Sequence, residues 1–261
     1  MDFFDEYSLS TLILLAFGAF SAGFVDAVVG GGGLIQIPVL LINFPQQQLA
    51  TLFGTNKIAA LAGTSISAYH YSKRITFDFK ILLLISFFSF LASYLGATLV
   101  RNISSDFLKP ILLVVLLFLA VYTFYKKELG SEKTKDLSFS KQVLFGAIIG
   151  LIVGFYDGFF GPGTGSFFVI AFVIVLGFDF FKASAYAKII NCFTNLSALL
   201  VFVFNGNYIL EIAVLLSVFN ITGSFIGTKM AVIHGNKFIR KVFLGIVLLL
   251  IVRYSYDIFG I

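Results

Sequence analysis

Hydrophobic and polar positions alternate along the chain in blocks rather than in residues. Long apolar runs are separated by short polar breaks, and a spanning helix needs roughly 20 mostly apolar residues. The runs fall at about 9–29, 34–44, 49–72, 80–100, 107–125, 142–160, 165–177, 182–204, 209–232 and 238–258. Two of them, 34–44 and 165–177, are too short to span, and each follows a glycine cluster. These two read as halves of broken or re-entrant elements. The polar stretch from Lys126 to Lys141 reads as a solvated linker between a first unit, 1–125, and a second, 142–261.

The pattern repeats. A shift of 131 residues superimposes the halves without a gap, setting Gly23 on Gly154, Asp26 on Asp157, Gly30 on Gly161, Lys57 on Lys188, Ser93 on Ser224 and Gly96 on Gly227. Chance matches of Leu or Phe are cheap in so apolar a chain, whereas matches of Asp and Lys inside apolar runs are not. The expected fold is an all-α polytopic membrane protein of two tandem repeats with 8–10 helical segments, a plan common among secondary transporters. The loop with Lys73, Arg74 and Lys80 is basic, but its image at Asn205–Tyr208 carries no positive charge. The 126–141 linker and the loop with His234, Lys237, Arg240 and Lys241 are basic as well. The positive-inside rule places these three loops in the cytoplasm, which gives equivalent loops opposite sidedness and implies inverted repeats. Arg101 and Lys109 fall in a loop that this scheme puts outside, against the rule.

Composition agrees with a lipid solvent: 59% of the 261 residues are hydrophobic and 12% are charged, where soluble domains carry about 25% charged. The formal charge of +5 is spread along the chain, which argues against nucleic acid as a partner. One cysteine, Cys192, excludes an internal disulfide, and two distant histidines, His70 and His234, give no zinc site. No cofactor or metal is expected. The N-terminal MDFFDEYSLS has neither a basic leader nor a small-residue cleavage site, so the first apolar run is expected to stay as a permanent helix. The expected location is a cell membrane, most simply a bacterial inner membrane. Oligomeric state is open between monomer and homodimer.

Candidate chemistry gathers at the duplicated positions. Gly30–Gly33 and the Gly161-Pro162-Gly163-Thr164-Gly165 segment break the helix where each glycine costs about 1 kcal/mol against alanine. Non-helical backbone at membrane depth survives only inside protein or beside a wet cavity. The half-helix that follows offers unpaired N–H groups and a partial positive charge, which suits an anion. Gly31, Gly32, Gly33, Gly163, Thr164 and Gly165 are therefore candidate substrate contacts. Close helix packing is the other use of such small residues.

Asp26 and Asp157 follow Gly-Phe in both halves. A carboxylate at the bilayer centre costs on the order of 3 kcal/mol, so each must be protonated, hydrated or paired. Proton coupling and capping of the broken helix are the two readings, and they are compatible. Lys57 and Lys188 lie about two turns into their apolar runs; they either snorkel to the interface or face a cavity, where they attract an anion or pair with Asp26 and Asp157. Asn56, Asn191 and Asn195 supply amides on the same stretches, and Asn191 and Asn195 share a helix face with Lys188.

The residues Gly23-Phe24-Val25-Asp26 through Gly33 with Pro38, then Gly54-Thr55-Asn56-Lys57, resemble the first motif block of the TauE/SafE sulfite exporter family. Gly154 through Gly165, with Lys188, Asn191 and Asn195, resemble its second block. The resemblance implies a multi-pass permease, not an enzyme, that exports sulfite, sulfoacetate or related organosulfur anions with help from a proton gradient. It also implies a site around both glycine loops, Lys57, Asn56, Lys188 and Asn195. The second block has Gly-Pro-Gly-Thr-Gly where the first has four glycines, so the two loops need not bind alike. Two alternatives remain: an anion channel, and an intramembrane aspartyl protease whose Asp26 and Asp157 share a proton.

Overall fold

The computed structural model describes residues 7–99 and 137–259. The 107–125 run, most of the linker, and Arg101 and Lys109 lie outside the described residues. Among the described residues, four helices precede that stretch: α1 (Leu9–Val29), α2 (Gly33–Asn43), α3 (Leu49–Ser72) and α4 (Phe79–Leu99). Four follow it: α5 (Phe139–Phe159), α6 (Thr164–Ala171), which runs on as a π-helical turn (Phe172–Leu176), α7 (Phe180–Phe204) and α8 (Leu210–Phe259). α8 breaks at Gly235, whose φ of 63° leaves the helical region. α5 takes in Phe139, Ser140 and Lys141, which the hydrophobic pattern assigns to the linker.

The 131-residue register carries through to the backbone. It maps Gly33, Leu49 and Phe79 onto Thr164, Phe180 and Leu210, the first residues of α6, α7 and α8. It also maps Gly30 onto Gly161, and both hold left-handed φ values, 85° and 90°, where their helices end. A residue with a Cβ is disfavoured in that region by roughly 1–2 kcal/mol, so both helices stop where the sequence places glycine.

The halves pack by exchange: α1 lies along α8, and α5 along α4. Small residues let these backbones meet. A Cβ on Gly23 would stand 2.1 Å from the carbonyl oxygen of Asn220, and one on Gly158 would stand 1.8 Å from that of Ser93. At the centre α3 packs on α7, and the two run in opposite directions. The start of α3 sits beside the end of α7, where Ile209 N donates to Thr55 Oγ1 at 2.9 Å. The far end of α3 sits beside the start of α7, where the N–H of Asp78 donates to the Tyr186 hydroxyl at 2.8 Å.

Among the described residues, α1, α4, α5, α7 and the Leu210–Gly235 part of α8 are long and apolar enough to cross a membrane. Their outward faces carry large apolar side chains such as Phe17, Leu83, Ile152 and Val218, as lipid contact requires. α3 has 24 residues, about 36 Å of helix, but it carries Thr55, Asn56, Lys57, Thr64 and Ser67, all buried. Its polar residues face protein, which is why the central helix is the least apolar of the long ones.

Candidate functional site

The short helices α2 and α6 begin where the glycine breaks meet. Ser166 N donates to Gly30 O at 3.0 Å, and Ser166 Oγ to Val29 O at 2.9 Å. A Cβ on Gly165 would lie 2.4 Å from the Cα of Gly30, and one on Gly33 would lie 3.2 Å from the Cα of Pro162. The two breaks therefore press backbone on backbone and leave no gap between Gly30 and Gly165. Within them, the amides of Gly31, Gly32, Gly163 and Gly165 make no hydrogen bond among the described residues. Thr164 turns its hydroxyl back onto Gly161 O at 2.7 Å.

Two ion pairs flank this junction, each joining the halves. Lys57 Nζ lies 2.7 Å from Asp157 Oδ2, and Lys188 Nζ lies 3.0 Å from Asp26 Oδ2. Relative exposures are 4%, 2%, 0% and 8% for Lys57, Asp157, Lys188 and Asp26, so neither lysine snorkels. Each pair has further partners. Lys57 also donates to Asn195 Oδ1 at 2.9 Å, Lys188 donates to the Asp26 carbonyl, and Thr64 Oγ1 donates to Asp26 Oδ2 at 3.0 Å. The register maps Lys57 onto Lys188, Asp26 onto Asp157 and Thr64 onto Asn195, so one site has been built twice. The antiparallel crossing of α3 and α7 brings each lysine to the opposite half's aspartate.

Helix capping by the aspartates is not what the structure shows. Neither α2 nor α6 has a side-chain cap; the Asp26 carboxylate is committed to Lys188 and Thr64 and the Asp157 carboxylate to Lys57. Nor do Asp26 and Asp157 form a protease-like dyad. Each is held by its own lysine, and no hydrogen bond joins them among the described residues.

Of the remaining candidates, Asn56 is buried with its Oδ1 unpartnered. Asn191 accepts from Thr194 Oγ1 at 3.2 Å and is not hydrogen-bonded to either ion pair. Three residues of this polar interior are absent from the sequence-derived set. Thr64 is signalled by its register with Asn195. Gln36 and Asn220 are signalled only as amides within apolar runs; Asn220 Nδ2 donates to Gln36 Oε1 at 2.9 Å, and both side chains are buried. Asn220 lies across from Gly63, the neighbour of Thr64, so this amide pair adjoins the Asp26 cluster.

A family model described as "Sulfite exporter TauE/SafE" matches residues 15–254, a span that includes both glycine breaks and both ion pairs. The chain belongs to the TauE/SafE family. It is similar to a "Probable membrane transporter protein" of Haemophilus influenzae, 33% identical over 253 residues, covering 97% of each chain. It is also similar to "Probable membrane transporter protein YfcA" of Escherichia coli, 32% identical over 97% of this chain and 94% of that one. A "Probable membrane transporter protein ORF9" of Sinorhizobium is 35% identical over 97% and 95% of the two chains. No solved structure matches. TauE/SafE proteins are multi-pass membrane transporters, not enzymes, and this chain is one of them.

Proposed function

We propose that this TauE/SafE chain is a secondary transporter of a small anion, such as sulfite, sulfoacetate or another organosulfur anion, with export as the direction that the family description suggests. The observation that carries the reading is the crossed pair of buried Lys–Asp bridges beside two glycine breaks. Each lysine already holds an anionic group, the aspartate of the other half. A substrate anion takes the place of that carboxylate, and the unpaired amides of Gly31, Gly32, Gly163 and Gly165 add donors of the kind that bind anions at helix starts.

The displaced carboxylate cannot stay charged and unpaired among apolar helices without a large cost. Uptake of a proton removes that cost, which links substrate and proton in one step. Breaking a bridge also removes one of the two buried ionic ties between the halves. The antiparallel run of α3 and α7 supports inverted repeats, and inverted halves that exchange conformations give alternating access. The halves taken as units are 1–125 and 142–261.

The test is flux into and out of proteoliposomes with a panel of labelled sulfur oxyanions. Saturable flux that shows counterflow and responds to a pH gradient supports a carrier, whereas unsaturable flux without counterflow marks a channel. No flux above protein-free vesicles for any member of the panel overturns the substrate class. Flux that survives both Lys57→Ala and Lys188→Ala overturns the site.

A further inference from the structure

Away from the paired lysines, a second cationic feature lies where the C-terminal end of α3 meets α8. His70, Arg74, Phe225, Thr228, Lys229, Val232 and Ile233 line a cavity of about 350 Å³ that is partly open to the surroundings. A hydrogen bond from Thr228 Oγ1 to Ser67 Oγ at 3.0 Å fixes the register of the two helices here. Arg74 and Lys229 are both exposed, and neither is ion-paired among the described residues. His70 packs its ring edge-on to Phe225 at 5.3 Å. The groove thus has a cationic rim and an apolar wall of Phe225, Val232 and Ile233, and Ile233 is 65% exposed.

Duplication supplies an internal comparison. The 131-residue register maps His70, Arg74, Phe225 and Lys229 onto Val201, Asn205, Tyr94 and Thr98. The counterparts of His70, Arg74 and Lys229 therefore carry no charge. With α3 and α7 antiparallel, the C-terminal ends of these two helices lie on opposite sides of the membrane, and the groove at the end of α3 lies on the side of Lys73, Arg74 and Lys80, the cytoplasmic side by the positive-inside rule. That leaflet is the one rich in anionic lipid. Snorkelling alone explains Arg74, which follows the end of α3, but it does not explain an apolar-walled cavity shared with a helical lysine.

The geometry points to a binding site for one anionic phospholipid in this groove. The phosphate is held between Arg74 and Lys229 with His70 beside it, and an acyl chain lies along Phe225, Val232 and Ile233. The groove contains no residue of the two Lys–Asp pairs, and the proposal does not depend on the substrate assigned above.

Native mass spectrometry of the detergent-purified full chain tests this, with added phosphatidylglycerol against phosphatidylcholine. Wild type is expected to retain one phosphatidylglycerol in preference to phosphatidylcholine. Arg74→Gln with Lys229→Gln is expected to lower that retention about thirtyfold, and either exchange alone about fivefold. Lys229→Arg should keep it, and Lys80→Gln, on the same face outside the groove, should leave it unchanged. Equal retention of the two lipids overturns the proposal, as does a double variant that behaves like Lys80→Gln. Displacement of the bound lipid by excess inorganic phosphate also overturns it, because the groove would then be a free-phosphate site.

Discussion

Lys57 reaches across 100 residues of sequence to place its ammonium 2.7 Å from the Asp157 carboxylate. Both groups are buried, and the same contact recurs as Lys188 with Asp26. A buried ion pair contributes little net stability, since desolvation offsets most of the attraction, but removing one partner costs about 3–5 kcal/mol. Such a pair is stable only while it is intact or replaced by an equivalent, and that is a useful property for a site where one anion substitutes for another.

The first prediction separates fold from function at this pair. Lys57→Met strands a buried carboxylate and should lower the thermal unfolding temperature of the purified protein sharply. Adding Asp157→Leu removes the stranded charge and should return unfolding close to wild type, because apolar replacement of a buried pair is often neutral. Flux should be absent from both variants. A double variant that transports at the wild-type rate would reduce the pair to a structural role.

The glycine breaks are predicted to respond unequally. Gly165→Ala drives a Cβ to 2.4 Å from the Cα of Gly30, so the junction has to part; overpacking of this kind typically costs about 1–3 kcal/mol. In Gly31→Ala the new Cβ meets Val25 Cγ1 at 3.4 Å, an ordinary contact. Thermal unfolding should therefore drop for Gly165→Ala and hold for Gly31→Ala. If Gly31 borders the anion, its variant should lose flux while keeping that stability. Matching unfolding temperatures for the two variants would contradict the close approach.

Sidedness provides a third. With Cys192 replaced by serine, single cysteines at Lys73 and Lys237 should react with a membrane-impermeant maleimide from one face of oriented vesicles. A cysteine at Asn207, the loop after α7, should react only from the other. Labelling of Lys73→Cys and Asn207→Cys from the same face would rule out inverted halves.

Much of this architecture is legible in the sequence. Glycine runs end helices whatever surrounds them, and so the starts of α2, α3, α6 and α7 fall within a few residues of the apolar-run boundaries. Asp26, Asp157, Lys57 and Lys188 stand out because charge is rare in hydrocarbon. Which aspartate meets which lysine is not legible, because periodicity describes a face of one helix and not the direction in which two helices cross. For the same reason the contact between Gly30 and Gly165 is not legible, although small residues there are. Gln36 and Asn220 are not legible either, because a single amide carries no pattern; only their mutual hydrogen bond across 184 residues marks them.

Asn195 gives the sharpest separation of binding from folding. Its Oδ1 accepts from Lys57 at 2.9 Å, and an ammonium only donates, so the orientation of the amide is fixed. The Nδ2 group is then a donor, buried and without a partner. Leaving such a group unsatisfied costs about 1–3 kcal/mol, so its removal offsets the loss of the Oδ1 contact to Lys57, which keeps Asp157 at 2.7 Å. A substrate oxygen that replaces the Asp157 carboxylate at Lys57 is the natural acceptor for it. Asn195→Leu should therefore raise the half-saturation concentration for the anion at least about tenfold, the loss expected for a hydrogen bond to a charged group, while thermal unfolding stays level or rises. Thr64→Val is the internal control. Thr64 is the counterpart of Asn195 in the register, but its hydroxyl proton is already given to Asp26 at 3.0 Å, so it has no spare donor and its loss should change half-saturation less. Concentration series of flux for the two variants, read beside their unfolding temperatures, decide the matter. If Asn195→Leu unfolds early and binds the anion as wild type does, the amide holds Lys57 in place and does nothing for the substrate.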